Sequence, residues 1–133
     1  MKVTGRCHCG AIAYKAIIDP ERVGICHCTD CQRLTGSPFR VTAAARREDF
    51  ALQRGSPRTY VKAADSGKQR AQVFCGNCGS PLYTFAVDDP GALGLRLGSI
   101  DQRQALIPRR QIWCRSALPW AMRIGGLPQR ERE

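Results

Sequence analysis

Apolar and polar residues alternate along this chain in short stretches, most of them five to seven residues long. That period of two is the signature of strands with one buried face. The pattern predicts strands over 11–17, 39–44, 58–62, 69–74, 82–87, 93–97 and 111–114. Thirteen glycines and eight prolines punctuate the stretches as turns. One segment breaks the alternation: 29–35 predicts a short helix, with Thr29 as N-cap and Gly36 ending it. A further single helical turn is expected over 101–105. Many short strands with frequent turns predict a mainly β architecture of sandwich or barrel type. No repeat or low-complexity linker divides the chain, so 1–124 is expected to be one domain and 125–133 a flexible tail.

No apolar run approaches the ~20 residues of a membrane span, which excludes a helical membrane protein. The first ten residues lack the apolar core of a secretion signal, so a cytoplasmic, reducing location is expected. There, structural disulfides are disfavoured. This bears on the most unusual feature of the composition, eight cysteines in 133 residues. Seven fall in three tight motifs: Cys7 and Cys9 in CHC, Cys26, Cys28 and Cys31 in CHCTDC, and Cys75 and Cys78 in CGNC. Thiols two or three residues apart can reach one ion at ~2.3 Å, so the spacing points to zinc.

The seven divide as four and three. Cys7, Cys9, Cys75 and Cys78 suit a saturated, tetrahedral site of structural type, with Gly10, Gly76 and Gly79 letting the backbone curl around it. Cys26, Cys28 and Cys31 suit an unsaturated site whose remaining position takes water or substrate. The spacing is less specific on which pair joins which. His8 and His27 are alternative ligands, although neighbours in a CHC segment tend to point to opposite sides. Cys114 is another, but it lies in an apolar stretch where a free cysteine packs as a small hydrophobe. Trp113 and Trp120 are expected as core or pocket walls.

The net charge is +10, from 21 basic and 11 acidic residues. Seven thiolates around two zinc ions would lower it by three, to +7. The balance still favours anionic partners. A zinc-stabilised nucleic-acid- or protein-binding module is therefore the rival to an enzyme. Nucleic acid is the weaker partner, because the nine aromatics are not interleaved with basic residues as a stacking platform.

The segments GRCHCGAIAYKA, ICHCTDCQRLTGSPF, FCGNCGSPLY and IPRRQIWCRSALPW together resemble the glutathione-dependent formaldehyde-activating family. The resemblance runs from about Gly5 to Trp120. It implies an Mss4-like fold, a sandwich or tent of antiparallel sheets. It implies structural zinc at Cys7, Cys9, Cys75 and Cys78, and catalytic zinc at Cys26, Cys28 and Cys31. It also implies a carbon–sulfur lyase running in the direction of synthesis, joining a glutathione-like thiol to formaldehyde or a related small aldehyde. Ser37 and Arg33 would border the site, and Arg33 or Arg40 would hold the thiol's carboxylates. At Cys114 the family usually carries an aliphatic residue, in keeping with a core position.

Overall fold

The computed structural model describes residues 1–133. Eight strands form it: β1 (Lys2–Arg6), β2 (Ala13–Cys26), β3 (Arg40–Arg54), β4 (Arg58–Ala63), β5 (Gln69–Phe74), β6 (Pro81–Ala86), β7 (Ala92–Arg96) and β8 (Arg110–Ile112). One α-helix, α1 (Thr29–Thr35), joins β2 to β3, and short 3-10 turns fill the C-terminal third. The strands make one sheet in the order β1-β2-β3-β7-β6-β5-β4, and every pair along that path is antiparallel. The short β8 lies off the path and runs parallel to the end of β2.

The sheet cannot be flat. Five strand spacings of ~4.8 Å would separate β1 from β5 by about 24 Å. Yet the sulfurs of Cys7, just after β1, and Cys75, just after β5, lie within 4.8 Å of one another. The sheet therefore curls until the chain beyond β1 meets the chain beyond β5. Register shifts in β2 between Ala16 and Ile18, and again between Ile18 and Val23, mark bulges that favour such bending. A bridge from Gly5 to Ile100, with Asp101 N–H donating to Thr4 O at 2.9 Å, helps close the curl. Inside it lies one core of 17 buried residues, drawn from β1, β2, β3, β5, β6, β7 and the loops beside them and including Val3, Tyr14, Val23, Leu82, Leu95 and Ile100. Leu95 is fully buried there. Leu95→Ala should cost about 2–5 kcal/mol, read by urea denaturation.

The mainly β expectation holds, with three differences in detail. The strand β1 was not anticipated, because KVTGR has one apolar residue facing the core and a glycine at the next inward position. That glycine, Gly5, gives its space to the Tyr14 ring. Second, β2 and β3 run well past their apolar cores, to 14 and 15 residues, because pairing with each other sustains polar stretches that propensity alone does not. Third, Trp113, Trp120 and Cys114 are exposed rather than core. All three residues of β8 are exposed, and the 3-10 turns that follow it lie on the outside of the sheet.

Candidate metal centres

Two groups of sulfurs converge, and within each all sulfurs lie within 4.8 Å of one another. Cys7, Cys9, Cys75 and Cys78 form one group; Cys26, Cys28 and Cys31 form the other. Neither His8, His27 nor Cys114 belongs to either.

The first group sits where the curl brings the turn after β1 to the turn after β5. After β1, Gly10 N–H donates to Cys7 O at 3.2 Å and Cys7 N–H to Ile12 O at 3.1 Å. After β5, Gly79 N–H donates to Cys75 O at 2.8 Å and Cys75 N–H to Ser80 O at 2.9 Å. Gly10 and Gly79 have φ of 78° and 77°, a left-handed conformation that glycine adopts without strain. The turns are tied together by His8 N–H donating to Ser80 Oγ at 2.9 Å. Sulfur–sulfur distances of 3.6 Å for Cys7–Cys9 and 3.8 Å for Cys9–Cys75 match the ~3.8 Å edge of a tetrahedron with 2.3 Å metal–sulfur bonds. Backbone and amide donors aim at the sulfurs: Ile12 N–H at Cys7 (3.2 Å) and Asn77 Nδ2 at Cys9 (3.3 Å). The Asn77 amide is the first cause of a lowered Cys9 pKa, and the Ser80 hydroxyl draws Cys78 down to about 5.

The second group gathers at the end of β2 and the start of α1. Cys26 ends the strand and Cys31 stands in the first turn of the helix. Cys28, not Thr29, caps that helix: its sulfur accepts from Cys31 N–H at 3.3 Å. The thiol does the work expected of the threonine hydroxyl because the helix takes in Thr29 itself and leaves Cys28 at the cap position. Gln32 Nε2 fastens the helix to His27 O at 2.8 Å and to Ser116 O at 3.0 Å. His27 is fully buried, and its Nε2 contacts Gln111 Oε1 at 2.7 Å rather than the sulfurs. Lys62 on β4 pairs with Asp30 at 2.6 Å and holds the helix from the far side.

The electrostatics of this group ask for a cation. A hydrogen bond from the Cys31 thiol draws Cys26 down to about 5 against the opposing effect of burial, with smaller help from Cys28 and the Arg40 charge. The Cys31 thiol is pushed up by that same hydrogen bond and by burial. One negative charge is thus shared among crowded thiols, and a second is resisted. A divalent ion removes the conflict, so the donor set fits a soft metal in both groups. Cys114 is exposed in a turn apart from both. Cys114→Ser should leave the metal content unchanged, measured by atomic emission on the purified chain.

Two clefts lie beside the helix and the four-sulfur turns; neither is lined by Cys26, Cys28 or Cys31, and the larger is lined by Cys7 of the first group. One of 620 Å³ is lined by Thr35, Ser37 and Phe39 from the segment after α1, by His8 and Ser80, and by Arg40 and Arg96. The other, of 210 Å³, lies between Leu34, Tyr60, Phe74 and Tyr83, and reaches the same two arginines. Ser37 and Arg40 line the larger cleft, whereas Arg33 is exposed and lines neither. Arg96 and its partner Gln72 escaped sequence reasoning. Both stand on the face opposite the apolar core, where the alternating pattern predicts an exposed polar residue and gives no signal of burial.

A crystal structure of a Rhodobacter sphaeroides protein shares the fold, with a TM-score of 0.64 over 81% of this chain and 98% of that one, at 21% identity. An uncharacterised lyase of Schizosaccharomyces pombe is 33% identical over 79 residues, which cover 59% of this chain and 54% of that protein. A Halomonas elongata protein named for glutathione-dependent formaldehyde activation is 25% identical over 89 residues, 64% of this chain and 57% of its own length. The chain thus spans little more than half the length of these curated relatives. The sequence profile described as glutathione-dependent formaldehyde-activating enzyme matches residues 2–116, nearly the whole of the curled sheet and both groups of cysteines. This chain belongs to the glutathione-dependent formaldehyde-activating enzyme family.

Proposed function

We propose that this protein is a zinc-dependent carbon–sulfur lyase acting as a synthase, which adds a thiol of the glutathione type to formaldehyde or a related small aldehyde. The observation that carries the reading is the division of seven sulfurs into a group of four and a group of three. Four thiolates complete a tetrahedron, so Cys7, Cys9, Cys75 and Cys78 would hold a structural zinc. Cys26, Cys28 and Cys31 would hold a second ion with one position left for a ligand from outside. Zinc bound there supplies Lewis acidity, which favours the thiolate form of a coordinated thiol.

The chain's own residues arrange the site. The Cys28 cap and the Gln32 hydrogen bonds hold β2, the loop and α1 at fixed spacing, so the three sulfurs need little reorganisation. The neighbouring clefts offer room for the body of a thiol substrate. In the net reaction the thiol sulfur bonds to the carbonyl carbon, the C=O π bond opens, and the thiol's proton ends on the carbonyl oxygen. Nothing is oxidised or reduced. Residues 1–124 would carry both sites as one domain, with 125–133 as a tail. A reducing compartment such as the cytoplasm suits seven unoxidised thiols; no helix is long and apolar enough to cross a membrane.

The test is metal analysis of freshly purified protein together with a screen of thiol–aldehyde pairs. Two zinc ions per chain and catalysed loss of free formaldehyde with at least one thiol are expected. A protein holding both ions that accelerates no pair would overturn the reading and favour a binding module.

A further inference from the structure

Two arginines are buried on the face of the sheet opposite the apolar core, and neither forms an ion pair. Arg40 begins β3 and Arg96 ends β7, and they are 8% and 5% exposed. Arg40 and Thr42, two residues apart on one strand, share a face. Thr42 is paired across to Arg96, and Arg40 is paired across to Cys26 on β2. Cys26, Arg40 and Arg96 thus point to the same side of the sheet.

None of the protein's five ion pairs involves either arginine. Neutral groups hold Arg96: it donates to Thr42 Oγ1 at 3.1 Å and to Gln72 Oε1 at 2.8 Å. Gln72 is itself fixed, donating to Thr84 Oγ1 at 3.2 Å, and Thr84 donates to Ala71 O at 2.7 Å. This chain of hydrogen bonds orients the guanidinium without cancelling its charge. Arg40 is less provided for, since its Nε is buried and finds no partner. Burial pushes Arg96 down to about 9, and the Arg40 charge adds to the push. At about 9, Arg96 still carries its charge at neutral pH. Burying two like charges side by side is costly, and such an arrangement persists where a counter-ion arrives from outside. The way in is present, because both arginines line both clefts.

We propose that Arg40 and Arg96 form an anion subsite that takes a carboxylate of the thiol substrate, so that the protein selects thiols bearing an acid group a few atoms from the sulfur. The identity of the ligand rests on the function proposed above; the anion site itself does not. Three thiolates and a divalent ion would leave one negative charge nearby, and two guanidiniums exceed it by one. The short spacing follows from the direct pairing of Arg40 with Cys26, which places their Cβ atoms ~5 Å apart.

The site can be read without turnover. The zinc-loaded chain is titrated calorimetrically with S-methylmercaptopropionate, an acid whose sulfur is blocked, and with the corresponding amide. The acid should bind about tenfold to a hundredfold more tightly. Arg40→Met and Arg96→Met should each erase that preference. Arg40→Met removes an unpaired buried charge at similar volume, so it should melt no lower than the unaltered chain, and it decides the question alone if Arg96→Met fails to fold. A second arm compares kcat/KM for mercaptopropionate and mercaptoethanol with formaldehyde, where the ratio should fall toward unity in Arg40→Met. Equal binding of acid and amide, or a preference that survives Arg40→Met, overturns the anion site. An arginine-dependent preference in a protein that turns over no thiol supports the anion site and overturns the proposed reaction instead.

Discussion

Cys28→Ser should yield a folded chain that holds one metal ion where the unaltered protein holds two, and that has lost turnover by about a thousandfold, the scale of several kcal/mol of Lewis-acid assistance. The expectation of intact folding comes from the residue's second role. Cys28 caps α1 by accepting from Cys31 N–H, and a serine hydroxyl is at least as good a cap. The side chain is only half-buried and the two residues are nearly isosteric, so packing changes little. What serine cannot supply is a soft anionic donor, since its hydroxyl stays protonated where a thiol ionises. Circular dichroism and metal analysis should therefore separate from activity: unchanged spectrum, one ion fewer, no reaction. Full turnover in a Cys28→Ser protein would remove the three-sulfur group from the mechanism.

Cys75→Ser should instead destroy the fold. Cys75 is both a member of the four-sulfur group and a buried part of the core. That group joins the turn after β1 to the turn after β5, strands that only the curl of the sheet brings together. Binding of a structural zinc is worth roughly 10–16 kcal/mol in small zinc peptides, as much as the whole net stability of an ordinary domain. Loss of even half of it, together with a hydroxyl left in the core, should lower stability by ~5 kcal/mol or more. A strong chelator should do the same to the unaltered chain. Urea midpoints before and after metal removal would show it, with recovery on adding zinc back. If the metal-free chain unfolds at the same urea concentration as the metal-bound one, the four-sulfur group has no structural role.

The contrast between the two substitutions follows from position rather than from residue type. Both residues belong to clustered cysteine motifs, and the sequence shows that directly. Cys28 stands at a loop between a strand and a helix, where local hydrogen bonds already hold the backbone. Cys75 stands where distant parts of the chain close on each other.

The division of the alternating pattern into short strands, the helix over 29–35 and the grouping of seven cysteines were legible in the amino-acid sequence. Each depends on neighbours a few residues apart: the period of two, the stop at Gly36, the two- or three-residue spacing of thiols. Tertiary structure alone decided the rest. It extended β2 and β3 through polar stretches by pairing them, formed β1 from a strand with a glycine at its second inward position, and put Cys114, Trp113 and Trp120 on the outside. It also set Arg96 and Gln72 against each other across β6, with Arg40 beside them and neither arginine in an ion pair. The physical reason is range. Local pattern records which face of a strand is apolar, whereas the partners of a buried charge are chosen by how the sheet curls, and no spacing along the chain records that.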